Sequence, residues 1–175
     1  MGLDAAGDFL LSFHMPIIRA KDSMKDSKLD GNPRWHFCAD LLSDTGGLTQ
    51  FGAFHETLPP GGHSSELHWH EKEDEFVYVL SGTVILVEGD EKGITETEMN
   101  AGDAAAFKAG DPIGHCLKNL SNAPATYLVV GTRTTDDRWH YPLKDEHVER
   151  DGDRRIIKNG KGEIIEKKNV KAYVE

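Results

Sequence analysis

The sequence predicts an all-β domain, closed as a barrel or folded as a two-sheet sandwich. Three observations predict it. Short runs rich in β-branched and aromatic residues recur through the centre of the chain, separated by Gly, Pro, Asp and Asn. No long window carries the 3.6-residue period of an amphipathic helix. Segment 75–88, EFVYVLSGTVILVE, is apolar on both alternating faces, so neither face should lie open to water.

Taken in order, residues 1–34 read as an N-terminal arm. Its apolar stretch from Phe9 to Phe13 should pack on the barrel, and KDSMKDSKLDGNP should then cross as loop. Residues 35–135 read as the barrel, with strands near 35–42, 48–58, 66–71, 75–80, 83–88, 94–98, 103–108, 115–119 and 125–133. Gly and Pro punctuate them, most clearly at Pro59 to Gly62, Ser81-Gly82 and Gly110 to Pro112. Within 75–80, one face carries Glu75, Val77 and Val79, and the other Phe76, Tyr78 and Leu80. One face fills the barrel; the other needs cover from flanking chain or from a second subunit, so a homodimer is expected. Residues 136–175 read as a C-terminal extension. It begins irregularly and ends in a hairpin, RRIIKNGKGEIIE, turning at Asn159 to Gly162.

Composition sets the outer bounds. A length of 175 residues suits one domain with its own core. No window approaches the ~18 uninterrupted apolar residues of a membrane helix, so no membrane partner is expected. The start lacks the basic flank and long apolar region of a secretory signal, so a cytoplasmic location is expected. A formal net charge of −10 opposes phosphate backbones, which argues against nucleic acid as a partner. Cys38 and Cys116 form no CxxC pair and read as two buried free thiols. Cys116 directly follows His115, so on a strand it should point away from that histidine's side.

Three of the histidines stand in a special relation. His68 and His70 flank Trp69, so on a strand their rings share a side, about 7 Å apart at Cα. Glu75 follows a four-residue turn, on a strand that can return beside the first. A later strand supplies His115. Three imidazoles and a carboxylate suit a borderline divalent metal. Glu71, Glu73 and Asp74 compete with Glu75, but their place in the turn reads as a solvated acidic patch. By alternation Glu66 falls on the side of His68 and His70, which makes it the candidate catalytic base or a hydrogen-bond partner that orients a ligand, with a plain strand-end carboxylate as the alternative. His55 and His63 come near the same barrel mouth, with a surface role as the alternative. Trp69 should face away from the ligands, into core or interface. Trp139 and Tyr141 either pack or lid the barrel.

The pattern resembles the cupin superfamily. That family's first motif is a Gly, five residues, His-x-His, three or four residues, Glu, six residues and Gly. Here Gly62, His68, His70, Glu75 and Gly82 match it throughout. In the second motif Gly102, Gly110, His115 and Asn119 fit, with Lys108 in place of a Pro and two extra residues before His115. The passage Trp139 to Pro142 and the hairpin after it look like a group of small bacterial cupins without settled activity. The resemblance implies a double-stranded β-helix, or jelly roll, holding one divalent metal (iron, manganese, zinc or nickel) inside the barrel. It also implies a structural role for Asn119. Such cupins include dioxygenases, oxalate-processing enzymes, lyases and sugar isomerases. The resemblance therefore implies a metalloenzyme on a small oxygen-rich molecule, oxygenase or decarboxylase first and isomerase or lyase second. The other class is a non-catalytic module that binds a sugar- or hormone-like ligand. The 34 residues before the barrel contain no helix-turn-helix pattern, which disfavours a transcription regulator.

Overall fold

The structure, a computed structural model, describes residues 17–169. Its strands are β1 (Met24–Lys28), β2 (Phe37–Leu41), β3 (Phe51–Leu58), β4 (Trp69–His70), β5 (Glu75–Ser81), β6 (Thr83–Asp90) and β7 (Gly93–Asn100). They continue as β8 (Ala104–Phe107), β9 (Gly114–Lys118), β10 (Ala125–Thr132), β11 (Arg138–Tyr141), β12 (Glu146–Asp151), β13 (Arg154–Asn159) and β14 (Ile164–Asn169). Among the described residues the only α-helix is one turn, Leu42–Thr45. No helix among them is long and apolar enough to cross a membrane.

Alternation decides what the barrel buries. A six-stranded antiparallel sheet, in the order β1-β2-β3-β10-β5-β8, faces a three-stranded one ordered β7-β6-β9. Between them Leu58, Val79, Tyr127 and Val84 are fully buried, with Val77, Leu86, Met99 and Leu117 around them. Each such aliphatic side chain contributes about 1.5–3 kcal/mol by leaving water. Val77 and Val79 point inward as their spacing requires. Phe76, Tyr78 and Leu80, on the other face of β5, stay 38–46% exposed. Thus flanking chain does not cover that face among the described residues.

Two motif glycines are required by the chain path. Gly82 turns β5 into β6 at φ +75°, and a Cβ there would meet the Ala125 Cα and Pro124 O at 3.0 Å. At Gly62 a Cβ would lie 2.9 Å from Pro59 O and 3.1 Å from His36 O, so backbone packs against backbone.

The ends depart from expectation. The passage expected to cross as loop contains β1, which pairs antiparallel with β2 from Met24↔Leu41 to Lys28↔Phe37. Its residues MKDSK are all exposed and carry no hydrophobic alternation, so backbone pairing and the cross-strand Lys25–Asp40 ion pair form this edge strand. The apolar stretch Phe9 to Phe13 lies outside the described residues. The region expected to be irregular after Thr135 forms β11 and β12. They join β13 and β14 in a five-stranded sheet, β14-β13-β12-β11-β4. The expected hairpin is there, with Gly162 N–H donating to Asn159 O at 2.8 Å. The strand expected over 66–71 shrinks to β4, two residues long, because the chain bends through Ser64 to Leu67 to reach β9.

The cysteines divide. Cys116 is buried against Leu67 and Val87, on the side opposite His115, and burial pushes its thiol up to about 11. Cys38 is exposed, against expectation, because its side chain lies on the outer face of β2.

Candidate metal centre

Three strands, with the residue just before one of them, bring the expected side chains together. His70 ends β4, Glu75 starts β5 and His115 is the second residue of β9. His68 precedes β4 and forms an isolated antiparallel bridge with His115, its N–H and C=O both bonded to that residue's backbone. The two extra residues of the second motif fall in the turn between β8 and β9, so the register of His115 is untouched. Glu75 Oε2 lies 2.7 Å from His115 Nε2, 3.7 Å from His70 Nε2 and 3.9 Å from His68 Nε2. Ligand atoms at ~2.0–2.2 Å from one ion sit about 3–3.5 Å from one another, so these separations are close to those of a coordination shell. One ligand atom each from His68, His70 and Glu75 fall within 4.8 Å of one another. His115 joins through its hydrogen bond to Glu75.

The orientation of the rings passes a sterner test of fit. His68 Nδ1 lies 2.8 Å from the Glu66 carbonyl, an acceptor only, so that nitrogen carries the hydrogen. His70 Nδ1 lies 2.6 Å from Asp137 Oδ2. With both Nδ1 atoms donating, both Nε2 lone pairs are directed at Glu75, as a metal would need. His115 stacks flat on Phe107, with ring centroids 3.7 Å apart and an interplanar angle of 3°, which sets its plane.

The electrostatics agree. Burial pushes His68 down to about 4, with His70 and His115 adding to the effect and Glu75 opposing it; its ring is neutral at neutral pH. Burial opposes the ionisation of Glu75, yet the His115 hydrogen bond and the nearby His70 and His68 overcome it and hold the carboxyl at about 2. For His70, burial would lower the pKa, but Asp137 and Glu75 outweigh it and raise it.

Of the remaining candidates only Glu73 stays near the cluster, one of its carboxylate oxygens falling within 4.8 Å of ligand atoms of His70 and Asp137. The Glu66 carboxylate pairs with Lys144 Nζ at 2.9 Å rather than facing the cluster; it is the Glu66 carbonyl that serves the site, by holding His68. The alternation that had placed Glu66 beside the ligands does not apply, because the chain is not extended there. Of the carboxylates rivalling Glu75, Glu71 pairs with His140 and Arg138, Glu73 accepts from Thr134, and Asp74 accepts from the Ala109 N–H. His55 pairs with Asp40, and His63 packs edge-on to Trp35. Asn119, fully buried, ties Leu58 O and Ala123 O together, a structural role. Trp69 stacks on His140 at 4.2 Å.

Sequence reasoning missed two groups. The C-terminal extension supplies Asp137, 1% exposed, which orients His70 and also accepts the Lys72 N–H. Beside it Trp139, which the sequence had left between packing and lidding the barrel, pairs with His70 across β11 and β4, and with Tyr141 walls a cleft of about 250 Å³ onto which His68 and His70 open. The second group is Glu56 and Tyr127. Tyr127 O–H donates to Glu56 Oε2 at 2.8 Å, and both line a cavity of about 140 Å³ together with His68, Glu75 and His115. Burial raises the pKa of Glu56; the Tyr127 hydrogen bond opposes this and the charge of Glu75 adds to it. One signal was available: Glu56 shares a strand face with Phe54 and Leu58, where an unpaired carboxylate is costly.

Comparisons with known proteins fit this geometry. A family model described as a cupin domain matches residues 54–131. No match is found among curated proteins. Among solved structures, a sugar phosphate isomerase from a cupin superfamily, from Silicibacter pomeroyi, is similar at 36% identity and a TM-score of 0.75, covering 86% of this chain and 97% of its own. A protein from Acidithiobacillus ferrooxidans is similar at 24% identity and a TM-score of 0.75, covering 87% of this chain and 97% of its own. A predicted oxalate decarboxylase from Thermotoga maritima follows at 21% identity and a TM-score of 0.54, covering 67% and 99%. At those lower identities the last two share the fold alone.

Proposed function

The chain belongs to the cupin superfamily, and from that premise we propose a metal-dependent isomerase of a small hydroxylated carbonyl compound, a sugar derivative. One divalent ion is held by His68, His70, Glu75 and His115, where the proton now shared by His115 Nε2 and Glu75 gives way to the metal. The observation that carries the reading is the shared cavity: a carboxyl–phenol pair, Glu56 and Tyr127, lines the same space as three of those ligands.

A bound divalent ion supplies Lewis-acid polarisation of a substrate carbonyl. The protein supplies the proton transfers. The Glu56 carboxylate takes the proton from the carbon beside the carbonyl, and Tyr127 O–H holds that carboxylate in place. The same carboxyl returns the proton to the neighbouring carbon, while the hydroxyl proton moves to the former carbonyl oxygen. Atoms balance, and no oxidant is needed. Isomerase chemistry is preferred over oxygenase or decarboxylase chemistry because the 36% identical relative is an isomerase, whereas the oxalate-type relative shares only the fold.

The test is turnover of aldose and ketose sugars in deuterated water by the metal-loaded protein. Deuterium should enter the carbon next to the carbonyl, and Glu56→Gln should lower kcat by about 100-fold or more. Ligand binding without deuterium uptake would leave a non-catalytic binding module instead.

The exposed outer face of β5 is assigned to a homodimer. Phe76, Tyr78 and Leu80, with Phe51, form an apolar surface that a second copy would cover. Phe76→Glu should then shift the particle mass in light scattering toward one chain. A wild type that is already monomeric ends the assignment.

A further inference from the structure

We propose that Arg150 and Arg155 form an anion subsite that grips a phosphate group on the substrate, across the cleft from the imidazole cluster. The inference rests on the isomerase reading and names the substrate class more narrowly. Both arginines line the cleft of about 250 Å³ onto which His68 and His70 open. Both also line a second cleft, of about 460 Å³, that reaches Glu56 and Glu75. A ligand held by the two guanidinium groups therefore has a path to each half of the site.

Their placement sets two like charges side by side in one ladder. Arg150 on β12 and Arg155 on β13 are direct register partners, and like charges opposite each other across a ladder destabilise it. Among the described residues one carboxylate, Glu73, reaches the pair, and it reaches Arg150 only. Arg150 has its nearest carboxylate, Glu73, only at 4.0 Å, and that oxygen already accepts from the Thr134 N–H and hydroxyl. Its Nε donates to Gly152 O and its Nη1 faces Glu73, which leaves Nη2 without a partner among the described residues. Arg155 forms no ion pair among the described residues. Its guanidinium lies over the Trp139 ring at 5.2 Å, and Trp139 itself walls the cleft. Two planar forks side by side, in a chain of net charge −10, match the several oxygens and double charge of a phosphate better than a single carboxylate.

The probe is inorganic phosphate, followed by calorimetric titration into the purified protein. Arg150→Met and Arg155→Met should each raise Kd about tenfold or more, since each removes charge-assisted hydrogen bonds. Arg155→Lys, which keeps the charge and spares the strand, should fall between. His70→Ala should bind phosphate as the wild type does. Phosphate binding that survives both Met variants, or that vanishes in His70→Ala alone, overturns the subsite. Two arms separate this inference from the one beneath it. Phosphate binding lost in the Met variants, with no sugar turned over, keeps the subsite and rejects the isomerase. Equal turnover of free and phosphorylated sugars rejects the subsite and keeps the isomerase.

Discussion

His70→Ala should strip the protein of most of its metal, so that elemental analysis falls from about one ion per chain toward none. The ring removes a ligand from a shell in which each remaining donor is already committed. Glu75 then faces His68 and His115 with a gap where the third Nε2 had been 3.7 Å away. The substitution also leaves the Asp137 carboxylate, 1% exposed, without its imidazole; an unsatisfied buried group of this kind costs about 1–3 kcal/mol. A second variant separates the two effects. His68→Ala removes a ring bound only to the Glu66 carbonyl and the Ser65 hydroxyl, and it should lose the metal with a smaller drop in melting temperature. Unchanged metal content in both variants rejects the ligand assignment.

Asp137→Asn should weaken metal binding by about 10–100-fold while leaving the fold intact. The side chain keeps its shape, and its Oδ1 can still accept the Lys72 N–H. What changes is the tautomer of His70. An amide nitrogen opposite Nδ1 is a donor, so the ring must place its hydrogen on Nε2, which then points a proton where the ion belongs. Competition with a chelator of known affinity measures the loss. Asparagine binding metal as tightly as aspartate would show that Asp137 only fills space.

The two predictions differ in how far the sequence foresaw them. His68 and His70 were legible because His-x-His on an extended chain puts both rings on one side, whatever the rest of the fold does. Glu75 and His115 were legible through the glycines and spacings of the family motifs. The same locality misled at Glu66, where alternation was assumed for a strand that proves to be two residues long. Asp137 lies 67 residues from His70, and no local period links them. Glu56 and Tyr127, cross-strand partners 71 residues apart, are joined only when β3 pairs with β10.

By itself the sequence determined the β-class, the inward face of β5, the terminal hairpin and the shared side of His68 and His70, since these follow from two-residue periodicity and short-range turns; Glu75 and His115 were added by the family resemblance. The tertiary structure alone decided how the extension folds back, pairing β11 with β4 at Trp139↔His70 and setting Arg150 opposite Arg155. The physical reason is that register between distant strands depends on how whole faces pack and which backbone edges remain unpaired, and no local stretch of sequence records that.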